Sequence, residues 1–135
     1  MSDIVATRQA PVAHPVNVAL WVLQALLAFQ FAGGGLAKLA GSPELVDLFA
    51  SIGAGQWLRY LVGALEVAGA VGLLVPRLSG LAALGLAALM VGATVTNLFV
   101  IGERPWLPVG LLLVSAVIAW GRRSRTRALA ARLKR

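Results

Sequence analysis

Four stretches of this chain are apolar over lengths that match a bilayer rather than a soluble core: approximately Val16 to Leu39, Trp57 to Val75, Leu78 to Ile101 and Trp106 to Trp120. A helix needs roughly 20 apolar residues to cross the hydrocarbon layer, and lipid cannot satisfy loose backbone groups, so helices are what these spans demand. The fourth is short, and either begins in the proline-containing stretch Arg104 to Pro108 or thins the bilayer locally. Composition agrees, with 59% hydrophobic and 13% charged residues where soluble domains carry about 25% charged. The run from Val16 is too long for the core of a cleavable signal. Within it, Gly33-Gly34-Gly35 reads as a helix-packing surface rather than a phosphate cradle, because no strand or P-loop context surrounds it. These features predict an all-α fold, an integral membrane antiparallel four-helix bundle with residues 1–15 as a polar arm, 16–120 as the transmembrane domain and 121–135 as a basic tail.

The net charge of +7 is segregated. With both termini cytoplasmic, the inner side carries Arg8, Arg77, Arg122, Arg123, Arg125, Arg127, Arg132, Lys134 and Arg135 against Asp3. The outer side then carries Lys38, Arg59 and Arg104 against Glu44, Asp47 and Glu103. Nine basic residues inside and three outside form a positive-inside pattern that an even number of spans supports. Trp21 and Trp120 fall at the inner ends of their spans, Trp57 and Trp106 at the outer ends, as in interfacial aromatic belts.

The turn Val75-Pro76-Arg77-Leu78-Ser79-Gly80 is too short for anything but a hairpin between the second and third spans. The first outer loop differs. Ser42 is placed to cap and Pro43 suits a first helical position. Leu45, Leu48, Phe49 and Ile52 recur at helical spacing before Gly53 and Gly55. A short amphipathic helix on the outer surface is predicted, as an interfacial connector or a lid.

Glu66 lies mid-span in the stretch Trp57 to Val75. An ionisable group at that depth costs at least about 2.5 kcal/mol on insertion scales and normally faces the bundle interior with a partner or a task. Arg59, seven residues earlier, shares nearly the same face about 10 Å nearer the outer surface. Gln30, Gly34 and Lys38 form one stripe on the first span, and Thr94 and Asn97 lie in the outer half of the third. The placement predicts a polar cleft toward the outer face, with Glu66 at its floor as the catalytic candidate. Gln30, Lys38, Arg59, Thr94 and Asn97 are the ligand-binding candidates on its walls. Gly63, Gly69 and Ala70 flank Glu66 and admit a neighbouring helix. A structural alternative stays open for each residue: Glu66 as an interhelical cross-link, Lys38 and Arg59 as snorkelling anchors, Thr94 and Asn97 as hydrogen-bond glue.

Other classes are excluded or disfavoured. There is no cysteine, hence no disulfide, thiol redox chemistry or cysteine-held cluster. The single histidine, His14, cannot build a metal or haem site needing several imidazoles, and no metal site is expected. The tail from Gly121 to Arg135 carries no nucleic-acid recognition motif; anionic lipids of the cytoplasmic leaflet are its expected partner.

The segment Phe31-Ala32-Gly33-Gly34-Gly35-Leu36-Ala37-Lys38-Leu39, followed by Gly41-Ser42-Pro43-Glu44, resembles the first-helix signature of DoxX-like membrane proteins, and Tyr60 through Gly80 resembles their second helix and turn. The resemblance covers about residues 17 to 121. It implies a four-helix bundle in the bacterial cytoplasmic membrane, in a family where some members are subunits of a thiosulfate:quinone oxidoreductase and others are linked to membrane oxidoreductase complexes handling thiol and superoxide stress. By position, Lys38 and Glu66 match the polar residues typical of the first two helices. Where many DoxX-like chains carry histidine after threonine in the third helix, this one has Thr96-Asn97, and asparagine is no general acid or base near neutral pH.

The expectation is a redox-associated subunit binding a quinone or similar lipophilic molecule, with Glu66 transferring a proton and Lys38 or Arg59 polarising a ligand oxygen. With no electron-transfer cofactor expected on this chain, a soluble oxidoreductase partner is implied; a homo-oligomer is also allowed. A non-catalytic scaffold, transport or ligand-binding protein is the main alternative, and a cofactor-free lipid isomerase using Glu66 is a third.

Overall fold

A computed structural model describes residues 14–134. Asp3, Arg8, the polar arm before His14, the side chain of His14 itself, and Arg135 lie outside the described residues. Helix α1 (His14–Ala40) is followed by the short α2 (Pro43–Ile52) and by α3 (Gln56–Leu74). Next come α4 (Ser79–Thr96), running directly into a π-helical segment (Asn97–Ile101), then α5 (Trp106–Gly121) and α6 (Arg123–Leu133). No strand occurs among the described residues.

The four long helices close into a ring: α1 packs on α3, α3 on α4, α4 on α5, and α5 back on α1. Their shared interior is apolar, built from Leu27, Phe31, Leu73, Leu86, Met90 and Ile118. Outward, large apolar side chains stand free, with Phe29 82% and Phe99 80% exposed. A soluble monomer does not present apolar surface on that scale, whereas lipid covers it at no cost. Three helices are long and apolar enough to cross a membrane, and α5 with α6 joins them as a fourth candidate broken by a 65° bend.

Local chemistry explains the element ends. Pro43 occupies the first turn of α2, and Gly53 ends it in the left-handed conformation at φ 83°, donating its N–H to Phe49 O. The expected side-chain cap at Ser42 is absent: its hydroxyl makes no capping bond, and the Ser42 carbonyl instead accepts from Leu45 and Val46. Pro76 stops α3, and the turn Val75–Leu78 is closed by the Leu78 N–H on Val75 O at 3.0 Å. The third span reaches its expected end at Ile101, but its last five residues widen into the π register before Gly102 reverses the chain at φ 78°. The basic tail is helical from Arg123 onward, and its break from α5 lies at Arg122.

Candidate functional site

Close approach of α1 and α3 creates the site. Gly35 and Gly63 face one another so tightly that a Cβ on Gly35 would fall 2.7 Å from Gly63 O, and one on Gly63 would fall 2.9 Å from Gly35 O. Small residues at such crossings let helix backbones touch where lipid supplies no hydrophobic drive. At this crossing the last turn of α1 brings Lys38 to Glu66 of α3, Nζ to Oε1 at 2.6 Å, with side chains 18% and 6% exposed. Gly34 leaves the room for it, since a Cβ there would lie 3.4 Å from Glu66 Oε2 and 3.8 Å from Lys38 Nζ. Lys38–Glu66 is the single ion pair among the described residues.

Arg59, seven residues or about two turns before Glu66 on α3, is buried. Its Nη1 donates to the backbone carbonyl of Lys38 and its Nε to Gln56 Oε1 at 2.7 Å, while its guanidinium lies 4.3 Å from the Tyr60 ring centroid. The Lys38 carbonyl belongs to the last turn of α1, where carbonyls lack helical partners and a cation meets the negative end of the helix dipole. Gln56 in turn donates from Nε2 to Val46 O of α2 at 3.0 Å. One polar chain therefore runs from α2 through Gln56 and Arg59 to the Lys38–Glu66 pair.

The remaining candidates are placed differently. Gln30 is exposed, and its side chain forms no hydrogen bond among the described residues. Thr94 uses its hydroxyl on Met90 O of its own helix at 2.8 Å. Asn97 opens the π segment, its carbonyl accepting from the Glu103 N–H at 2.9 Å, and neither Thr94 nor Asn97 hydrogen-bonds to Lys38, Arg59 or Glu66. Of the small residues around Glu66, Gly63 faces α1, whereas Gly69 faces Leu86 of α4.

A second polar cluster lies at the α6 end of the bundle. Arg122 is 1% exposed; its Nε donates to Gln24 Oε1 at 2.7 Å and its Nη1 to Asn17 Oδ1 at 2.9 Å. Gln24 donates to Leu73 O at 2.7 Å, satisfying a carbonyl at the end of α3. Burial, and then the neighbouring charge of Arg125, pull the Arg122 guanidinium below its ordinary pKa. Arg125 Nη1 reaches Pro76 O at 3.2 Å and Ser79 Oγ at 3.1 Å. Sequence reasoning missed this cluster because it took the whole run from Gly121 to Arg135 as a basic tail facing anionic lipids, with Arg122 as one charge among the rest.

An all-helical chain with apolar faces turned outward, and a glycine crossing that carries one lysine–carboxylate pair, defines a small polytopic type of membrane protein. The sequence model of the DoxX-like family matches residues 22–130, most of the chain. The protein belongs to the DoxX-like family. No curated protein and no solved structure matches it.

Proposed function

We propose that this DoxX-like membrane protein is an antiparallel four-pass bundle of the bacterial cytoplasmic membrane with both termini cytoplasmic, and that its Lys38–Glu66 pair receives a small lipophilic molecule bearing a carbonyl-type oxygen, of the quinone class. The observation that carries this reading is the ion pair itself, 2.6 Å long and set between apolar helices, because ionisable groups at membrane depth mark binding or proton pathways by default. A ligand oxygen arriving beside Gly34 meets the Lys38 ammonium as donor, and Glu66 is the adjacent group that can take or release the proton. Arg59 holds the last turn of α1 and is a positioning residue. Because α2 is tied to Arg59 through Gln56, its movement is the natural gate. Electrons for a quinone reaction come from a partner oxidoreductase in this reading.

Thermal unfolding of the detergent-purified protein under titration with decylubiquinone tests it. The wild type is expected to gain several degrees and Glu66→Gln, which keeps the size of the side chain but cannot titrate, to gain little; an equal gain in both would overturn the assignment to Glu66.

A second reading rests on the same crossing. Lys38 and Glu66 neutralise one another where Gly35 and Gly63 already clamp the helices, so the pair also suits a non-catalytic scaffold as an interhelical cross-link. That reading predicts no quinone-dependent shift in either protein.

A further inference from the structure

The α6 end of the bundle carries cations without counter-charges. Among the described residues the acidic side chains are Glu44, Asp47, Glu66 and Glu103, none of them on α5, α6 or the Val75–Leu78 turn. Arg77, Arg122, Arg123, Arg125, Arg127, Arg132 and Lys134 share that end, and none forms an ion pair. Arg125, Ala128, Leu129 and Arg132 recur at helical spacing and turn one face of α6 toward Pro76 and Arg77. Between them lies a cavity of about 240 Å³ walled by three arginines and an apolar floor.

A second cavity, about 480 Å³ and almost wholly apolar, runs along the α3–α4 seam past Gly69, Gly72, Leu78, Ala82, Gly85 and Leu89. Successive residues of the turn line the two, Arg77 the first and Leu78 the second. Gly69 and Gly72 let α4 close the groove floor, a Cβ on Gly72 falling 2.8 Å from Ala82 Cβ, while Gly85 opens onto free space with nothing within 4 Å. An arginine-walled head cavity, with an apolar groove on the α3–α4 seam that starts at the next residue of the turn, matches one class of molecule in shape and charge.

We infer that this is a specific site for an anionic phospholipid, its phosphate held by Arg77, Arg125 and Arg132 and an acyl chain laid along the α3–α4 groove. Basic pockets beside membrane helices are suited to such headgroups, each cation adding to the attraction. The inference is independent of any role for Lys38 and Glu66. Because Arg125 already fastens α6 to the turn through Pro76 O and Ser79 Oγ, a bound headgroup also locks α6 against the bundle.

Native mass spectrometry of the full chain in detergent, with added phosphatidylglycerol, phosphatidylcholine or inorganic phosphate, tests the inference. The wild type should retain one phosphatidylglycerol in preference to phosphatidylcholine, with inorganic phosphate displacing it poorly. The double variant Arg77→Gln/Arg132→Gln should weaken retention about twenty-five-fold, the product of a roughly fivefold contribution from each arginine. Neither side chain hydrogen-bonds within the described residues, so the fold is expected to survive. Gly85→Leu, which fills the groove from open space, should reduce phospholipid retention without touching an arginine, and it carries the test alone should the double variant unfold. Equal retention of the two lipids, unchanged retention in Gly85→Leu, or ready displacement by inorganic phosphate would each overturn the phospholipid assignment.

Discussion

Lys38 and Glu66 depend on each other because Glu66 is buried and Lys38 mostly so where α1 crosses α3. Truncating one partner strands the other charge. Glu66→Leu is therefore expected to destabilise the protein by about 3–5 kcal/mol, and Lys38→Met/Glu66→Leu to regain most of that loss, as buried pairs replaced by apolar residues commonly do. Reversible unfolding in mixed detergent measures all three proteins, and a double variant as unstable as the single would contradict the mutual dependence. The glycines beside the pair are equally unequal. Gly35→Ala pushes a methyl to 2.7 Å from Gly63 O and Val67 Cγ2, whereas Gly33→Ala meets nothing within 4 Å. Overpacking costs about 1–3 kcal/mol, so the same assay should show a clear loss for Gly35→Ala and none for Gly33→Ala.

At the scale of elements, the ends of helices are where side chains and backbone settle the fold. Arg59 serves the last turn of α1, Gln24 the end of α3, and Arg125 the carbonyl of Pro76. Each is a long polar side chain crossing to a neighbour whose carbonyl has no helical partner. Arg122 is the most demanding, since its removal leaves Gln24 Oε1 and Asn17 Oδ1 without their donor. Arg122→Met should cost about 1–3 kcal/mol and release α6, read as a lower melting temperature with faster amide exchange across Arg123–Leu133; unchanged exchange there would refute the role of Arg122 as the fastening. The helices themselves were legible in the sequence because apolar length and Pro43, Gly53 and Pro76 announce where they run and stop. The π segment was not, because Asn97–Ile101 has the same apolar composition in either register. The contacts of Arg122 were hidden for a related reason: a basic run reads as one lipid-facing unit until the fold sets Asn17 and Gln24 beside one of its members.

For the whole molecule, the long-range placement of charge dominates. Acidic side chains cluster on α2 and at Glu66 and Glu103, and the arginines crowd the α6 end, in keeping with the positive-inside rule. The chain has no native cysteine, so single cysteines at exposed Asp47 and Ser124 make clean topology reporters. In intact bacterial cells an impermeant maleimide should label Asp47→Cys and spare Ser124→Cys until the membrane is opened; the reverse pattern would overturn the proposed orientation. The candidate site was half legible. Charge, depth and helical spacing singled out Glu66, Lys38 and Arg59, which the fold does join; Gln30 was grouped by its stripe with Lys38, yet stands exposed about two turns away, and Thr94 and Asn97 were grouped by depth, which does not fix the face a residue turns to.

The central claim is that the Lys38–Glu66 pair holds a small lipophilic molecule, and its most direct test is the identity and amount of whatever the protein retains after gentle detergent extraction, determined by mass spectrometry for the wild type and Glu66→Gln side by side. A quinone-class molecule is expected in near-stoichiometric amount on the wild type and mostly lost from the variant. Equal retention by the two proteins, or none by either, would contradict it.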